Sequence, residues 1–416
     1  MPNAQCPIPN AQFPMPNAQF PIPNSRQLRI GIGWQLSQTT GWGIYGTNLT
    51  LQLLRVPEYA PVLLVPPYLN SSQFNPLERS LLQPVLAKQA QLQEMMAKNP
   101  GKEIWCDFPV VRGLGKNFAT PNVPRGKQNI GVIFLEDTRL SAEALERAKT
   151  YEAIVAGSTW NEQILKSNGI ANVCTVQQGI DRTIFHPAPK SNLFRDRFVI
   201  FSGGKLEYRK GQDIVIAAFK EFSRRHPDAL LLAAWHNFWP QYMLGLEQTG
   251  NVAGLPEVKE DKQIGIGEWL LANGLPENSF IDLGVIPNQQ MARVIREADA
   301  AIFTSRCEGG TNLGAMESMA CGIPTILSAN TGHLDLLGES HCYSLRQQRP
   351  VRPTAQFSGV EGWGESDVAE VVETLEQIYA NREEASQRGL AAARFMQDWT
   401  WAKQVRRFLS VIEGIL

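Results

Sequence analysis

From Leu28 onward, short continuous apolar runs alternate with stretches in which apolar residues recur every three or four positions. The first pattern is that of buried strands and the second that of helices with one apolar face. In the first half, RIGIGW, PVLLVPP, NIGVIFLE, EAIVAGS and VCTVQQGID read as strands. TNLTLQLLR, entered through the Gly-rich loop TTGWGIYG, reads as a helix, as does the charged amphipathic stretch from Pro76 to Lys98. SAEALERAKTY has Ser141 placed as an N-cap, and TWNEQILKSNG is closed by Gly169. HPAPKSNLF then breaks the rhythm. A second series follows, with strands RFVIFSGG, DALLLAAW, SFIDLGVI, DAAIFTS and IPTILS, and helices QDIVIAAFKEFSRRH, NQQMARVIREA and NLGAMESMAC.

Such alternation builds parallel sheets covered on both faces. The expectation is an α/β protein of two facing Rossmann-like, doubly wound domains with a cleft between them, ligands sitting beyond the carboxyl ends of the strands. The domains are placed at residues 28–190 and 191–390, with residues 391–416 as a C-terminal helix packing back toward the first domain. Before them, PNAQCPI, PNAQFPM and PNAQFPI repeat a seven-residue unit too rich in proline for helix or sheet, so residues 1–27 are expected to be a disordered tail.

Composition narrows the function. Hydrophobic residues make up 43% and charged residues 19% of the chain, as in ordinary globular proteins. With 39 basic and 40 acidic residues there is no basic excess to hold nucleic acid. The six cysteines are scattered without a Cys-x-x-Cys pair, which fits reduced thiols in a cytoplasm better than disulfides or a zinc site. The apolar runs are strand-sized, and the N-terminus lacks the basic start and apolar block of a signal peptide.

Two segments carry chemistry. In TSRCEGGTNLGAMESMACGIP, a strand leads into a loop with Glu308 and two glycines, then a helix capped by Thr311 or Asn312. The free N–H groups and dipole of such a terminus favour a phosphate. Glu317 stands in an otherwise apolar helix, where a buried carboxylate needs donors such as paired ribose hydroxyls; a surface glutamate is the equal alternative. In FSGGKLEYRKGQD, Gly203 and Gly204 open a turn carrying Lys205, Arg209 and Lys210, a cluster suited to a diphosphate or, read alone, a solvated basic turn.

Taken together, the segments resemble the retaining glycosyltransferase family 4, which has the GT-B fold. Gly204-Lys205-Leu206 and Lys210-Gly211 look like its Gly-Arg-Leu…Lys-Gly, with Lys in the Arg position. EGGTNLGAMESMACGIP looks like its paired-glutamate motif, VQQGIDRTIFHP like its interdomain link, and Gly41 and Gly43 like its mobile loop over the donor. The resemblance implies a nucleotide-sugar donor of UDP or GDP type. It places Lys205, Lys210 and Arg209 at the diphosphate, Thr311, Asn312 and Leu313 at the phosphates, Glu308 at the sugar hydroxyls and Glu317 at the ribose. The acceptor would be a sugar or a lipid-linked one, the latter needing only a peripheral membrane patch. No Asp-x-Asp occurs, so no metal and no cofactor is expected.

The chain also departs from that pattern. Eight residues lie between Glu308 and Glu317, where the family motif has seven, and no histidine precedes His186. Glu136 in GVIFLEDT is the candidate to stand in for the family's N-domain histidine, with His236 and His333 as further candidates for the cleft. An NAD-dependent oxidoreductase would want Gly or Ala where GIGWQL has Leu36. A catalytically degenerate binding protein is the third reading.

Overall fold

The computed structural model describes residues 27–68, 74–98, 104–120, 123–260 and 262–416. Nearly all of the proline-repeat tail lies outside the described residues.

Six parallel strands form the first sheet: β1 (Leu28–Ile32), β2 (Tyr59–Leu63), β3 (Val110–Leu114), β4 (Asn129–Ile133), β5 (Ala153–Ala156) and β6 (Val173–Thr175), in the order β2-β1-β3-β4-β5-β6. Pro61 is tolerated because β2 is an edge strand, where a missing N–H breaks no ladder. The apolar pattern does not predict β3, whose short run is interrupted by Arg112. Helix α1 (Gly41–Leu53) follows β1; α2 (Pro76–Ala97), α3 (Ala142–Ala148) and α4 (Thr159–Ser167) come later. Asn75, Ser141 and Ser158 cap α2, α3 and α4 through their side chains, and Gly169 takes the left-handed conformation after α4 (φ 83°).

The second sheet comprises β7 (Phe198–Lys205), β8 (Ala229–His236), β9 (Phe280–Asp282), β10 (Ala300–Phe303), β11 (Thr325–Ser328) and β12 (Tyr343–Leu345), ordered β9-β8-β7-β10-β11-β12 and parallel throughout. Helices α5 (Gln212–Arg225), α6 (Ile266–Ala272), α7 (Asn288–Ile295), α8 (Leu313–Ala320), α9 (Val368–Ala380) and α10 (Arg382–Phe395) cover it. Strand order reverses between β7 and β10, and at such a point the loops beyond adjacent carboxyl ends splay apart and leave a crevice.

Helix α10 packs in the second domain, with Ala392 in the same core as Met316 and Met319 of α8. The chain crosses back at Trp399–Thr400, where Thr400 bridges Ile180, later than the expected boundary at 390. Helix α11 (Trp401–Glu413) then adds Trp401, Val405, Phe408, Leu409 and Ile412 to the core around Ile30, Ile32, Tyr45 and Leu49. A strap from the second domain, residues 351–364, also reaches the first. Phe357 and Trp363 join the cluster of Leu114, Phe118 and Ile133, and Asp137 accepts from the Ser358 and Gly359 N–H groups at 3.1 and 2.7 Å. No helix of the described residues is long and apolar enough to cross a membrane.

Candidate active site

The two sequence motifs leave the sheet on either side of the switch point. Lys205 ends β7, and the turn that follows carries Arg209 and Lys210. Gly211 closes this turn at φ 69°, and a Cβ there would lie 2.1 Å from the Thr304 carbonyl oxygen, so only glycine allows the turn to sit against the end of β10. Beyond β10, Glu308 lies in the loop that leads to α8.

Three cations and three carboxylates meet here. Lys210 Nζ lies 2.7 and 2.8 Å from the two Glu308 oxygens, and Arg209 donates to Glu308 Oε2 at 3.1 Å. Lys205 Nζ lies 2.7 Å from Glu207 Oε2, and Arg209 also binds the other Glu207 oxygen. Across the cleft, Glu136 stands 2.8 Å from Arg209. Glu308 further accepts from Ser305 Oγ at 2.5 Å and Asn312 Nδ2 at 2.9 Å. Burial alone would raise the Glu308 carboxyl, but Lys210 and then Arg209 hold it at about 2.

His333 lies beneath this carboxylate, fully buried. Burial pushes its imidazole down to about 4, outweighing the attraction of Glu308. The ring is therefore neutral, with Nδ1–H donating to the Ser328 carbonyl at 3.2 Å and Nε2 accepting from Asn312 Nδ2 at 3.2 Å. It is a support for Asn312 and not a charged partner.

Asn312 is the N-cap of α8, its Oδ1 facing Ala315 N at 3.4 Å, which resolves the choice between it and Thr311. Thr311 is buried, its hydroxyl directed at Met316 Sδ at 3.0 Å. The Leu313 and Gly314 N–H groups take no protein acceptor among the described residues, so the first turn keeps donors for an anion. One turn further on, Glu317 is buried (5% exposed) and accepts from Asn288 Nδ2 at 2.5 Å. Burial raises its carboxyl to about 8, only partly offset by that amide. The surface reading of Glu317 is thereby excluded.

The first domain closes the site from above. A Cβ on Gly309 would come within 2.6 Å of the Phe134 backbone, and Ser158 Oγ donates to the Gly309 carbonyl at 2.9 Å. Gly309 thus permits close contact between the domains. Gly41 and Gly43 require a correction: they form the first turn of α1, not a loop, because Thr40 caps the helix by accepting from Gly43 N at 3.2 Å. A Cβ on Gly43 would lie 2.0 Å from Ser37 Oγ, so its smallness serves packing. His236 is half-buried against Phe238 and is not among the residues gathered around Glu308.

Glu207, Asn288 and Ser305 were not among the sequence candidates. Glu207 stands within KLEYRKG, and its place between two cations was the available signal. Asn288 and Ser305 carry no local signal, since only the fold brings Asn288 to Glu317.

Two family descriptions match the second half of the chain: "Glycosyl transferases group 1" over residues 186–347 and "Family 4 Glycosyltransferase in conflict systems" over residues 287–408. Among curated proteins none matches. Among solved structures, sucrose-phosphate synthase from Thermosynechococcus elongatus is similar at 15% identity and TM-score 0.59, covering 94% of this chain and 99% of that one. HepE from Anabaena, in complex with UDP, is similar at 14% identity and TM-score 0.55, covering 93% of this chain and 100% of that one. A glycosyltransferase from Rickettsia africae is similar at 12% identity and TM-score 0.58, covering 94% of this chain and 98% of that one. These likenesses give the GT-B fold.

Proposed function

We propose that this chain is a family 4 glycosyltransferase of GT-B fold, a reading supported by the group 1 match over residues 186–347 and the family 4 match over residues 287–408, and that it transfers a sugar from a nucleotide-sugar donor held at the β7–β10 switch point, with retention of anomeric configuration. The observation that carries this reading is the cluster in which Arg209 and Lys210 bind Glu308 and Lys205 binds Glu207, beside the donor-bearing first turn of α8. The diphosphate takes the Leu313 and Gly314 N–H groups and draws Lys210 and Lys205 from their carboxylates, and these cations stabilise the charge that grows as the sugar leaves. Glu308, released from Lys210, turns its oxygens to the sugar hydroxyls, and Glu317 accepts from the ribose. Glu136 faces the reacting centre from the acceptor side, poised by Arg209. The lysines and the helix terminus serve in place of a divalent ion, so EDTA should leave turnover unchanged.

A UDP-sugar is the donor to try first, because HepE, which shares the fold, is seen with UDP and with UDP-glucose. The acceptor is a sugar, free or lipid-linked, reached from a cytoplasmic location.

Calorimetric titration of UDP- and GDP-sugars, followed by a turnover assay on Lys210→Ala, tests the proposal. Loss of one transition-state cation should cut kcat by roughly a hundredfold; near-normal kcat would sink the assignment. Proton NMR of the first product reads the anomeric configuration, and an inverted linkage would refute retention. The alternative of binding without turnover draws on the pairing of every cation in the cluster with a carboxylate. Donor binding with no turnover or hydrolysis across a donor and acceptor screen would favour it.

A further inference from the structure

A second gathering of positive charge lies in the first domain, apart from the cleft. A cavity of about 370 Å³ is lined by Arg112, Arg125 and Arg147 with Thr120, Thr150 and Tyr151, and no acidic side chain is among the described residues of its wall.

Arg112 is fixed by β3, whose pairing sets it opposite Gly131 in mid-sheet, and it is 8% exposed. Its Nη2 donates to Thr120 Oγ1 at 3.0 Å, while Nη1 reaches only the Val123 and Pro124 carbonyl oxygens, at 3.4 and 3.5 Å. Nε has no hydrogen-bond partner among the described residues. Burial pulls the guanidinium below its ordinary pKa, Tyr151 opposing the shift and Arg125 adding to it. Arg147, half exposed on α3, donates to the Asn117 carbonyl at 3.0 Å and stands 3.4 Å from Glu143. A buried guanidinium without a counter-charge is costly, and a guanidinium fork matches phosphate geometry.

The cavity's place separates it from the donor site. Asn129, in its wall, begins β4, and Thr150 and Tyr151 immediately precede β5, so it lies toward the amino ends of the strands. The donor motifs leave the other sheet at carboxyl ends, facing the cleft.

We propose that this cavity binds a phosphate group, carried either by inorganic phosphate or by a small phosphomonoester. Arg112 supplies the buried fork, Arg147 and Arg125 close over the anion, and the Thr120 and Tyr151 hydroxyls complete its hydrogen bonds. A lone phosphate fills part of the space, and the remainder of an ester would lie along Phe118 and Ala119.

The test is calorimetric titration of the full chain with inorganic phosphate and with glucose 6-phosphate, in wild type, Arg112→Met, Arg147→Gln and Lys210→Ala. Both arginine variants should bind about tenfold or more weakly, as loss of a charge-assisted hydrogen bond implies. Lys210→Ala should bind as wild type does. In phosphate-free buffer Arg112→Met should melt no lower than wild type, because it removes an uncompensated charge. Tighter binding of the ester supports a phosphomonoester ligand, and equal binding supports the free ion. Absence of binding by wild type overturns the proposal, and so do undiminished affinity in the arginine variants or a loss confined to Lys210→Ala. Should Arg112→Met fail to fold, Arg147→Gln decides by the same criterion, since its side chain is half exposed.

Discussion

Glu317 is the residue whose chemistry is most altered by its surroundings. Burial lifts its carboxyl from 4.5 to about 8, so the folded chain binds a proton that the unfolded chain releases between those values. The stabilisation is complete below pH 4.5 and is lost as pH rises toward 8, at up to about 1.4 kcal/mol per pH unit. Glu317→Gln lacks this dependence, so its stability relative to wild type should rise from pH 5 to pH 8 in urea unfolding; parallel pH profiles would contradict the assignment. Ribose hydroxyls donate best to the ionised form. Donor affinity should therefore strengthen from pH 6 to 8 in wild type, with proton release detectable as a buffer-dependent binding enthalpy, and Glu317→Gln should abolish both. At this scale the sequence was legible where a residue contradicted its neighbours, as Glu317 does among apolar positions and Lys210 does beside glycine. Asn288 and Ser305 were illegible, because a polar residue at a helix start or strand end is ordinary until the fold supplies its partner.

Elements were legible in proportion to the length and regularity of their apolar runs. The second-domain strands β7, β8, β10 and β11 were plain. Strand β3 was not, because Arg112 occupies its centre, and the strap at 351–364 has no period for a pattern to reveal. The pattern predicts helix α1 but starts it late: two glycines suggest a loop, yet the Thr40 cap outweighs them. Thr40→Ala should cost about 1 kcal/mol, within the range for a lost N-cap. Gly43→Ala should cost about 1–3 kcal/mol by forcing a methyl onto Ser37. Both are measured by chemical denaturation, and a neutral Gly43→Ala would restore the loop reading. In α11, Phe408 is 1% exposed among first-domain residues, and Phe408→Ala should destabilise that domain by about 3–5 kcal/mol.

The whole molecule is two sheets joined by polar and apolar contacts that run across the cleft. Glu136 meets Arg209, Ser158 meets the Gly309 carbonyl, and Asp137 ties down the strap through the Ser358 and Gly359 N–H groups. Asp137→Ala leaves those N–H groups without their acceptor, so proteolytic cutting within residues 351–364 should accelerate several-fold, as release of about 1–3 kcal/mol implies. Unchanged cutting would show that the strap is held without Asp137, by Phe357 and Trp363 together with the bonds of Lys116, Glu136 and Thr138. The fold class and the facing of two domains could be read from the alternating pattern; the crossing at Trp399–Thr400 could not, because nothing local distinguishes a helix that returns from one that stays. That return also bears on how the protein is made. Ile30 and Ile32 leave the ribosome long before Trp401, and at about 5–20 residues per second the interval is on the order of tens of seconds. During that time the first domain has its strands but not the helix that shields them, and its greasy face is open to chaperones or to another nascent chain. The domain translated first is thus among the last to be completed.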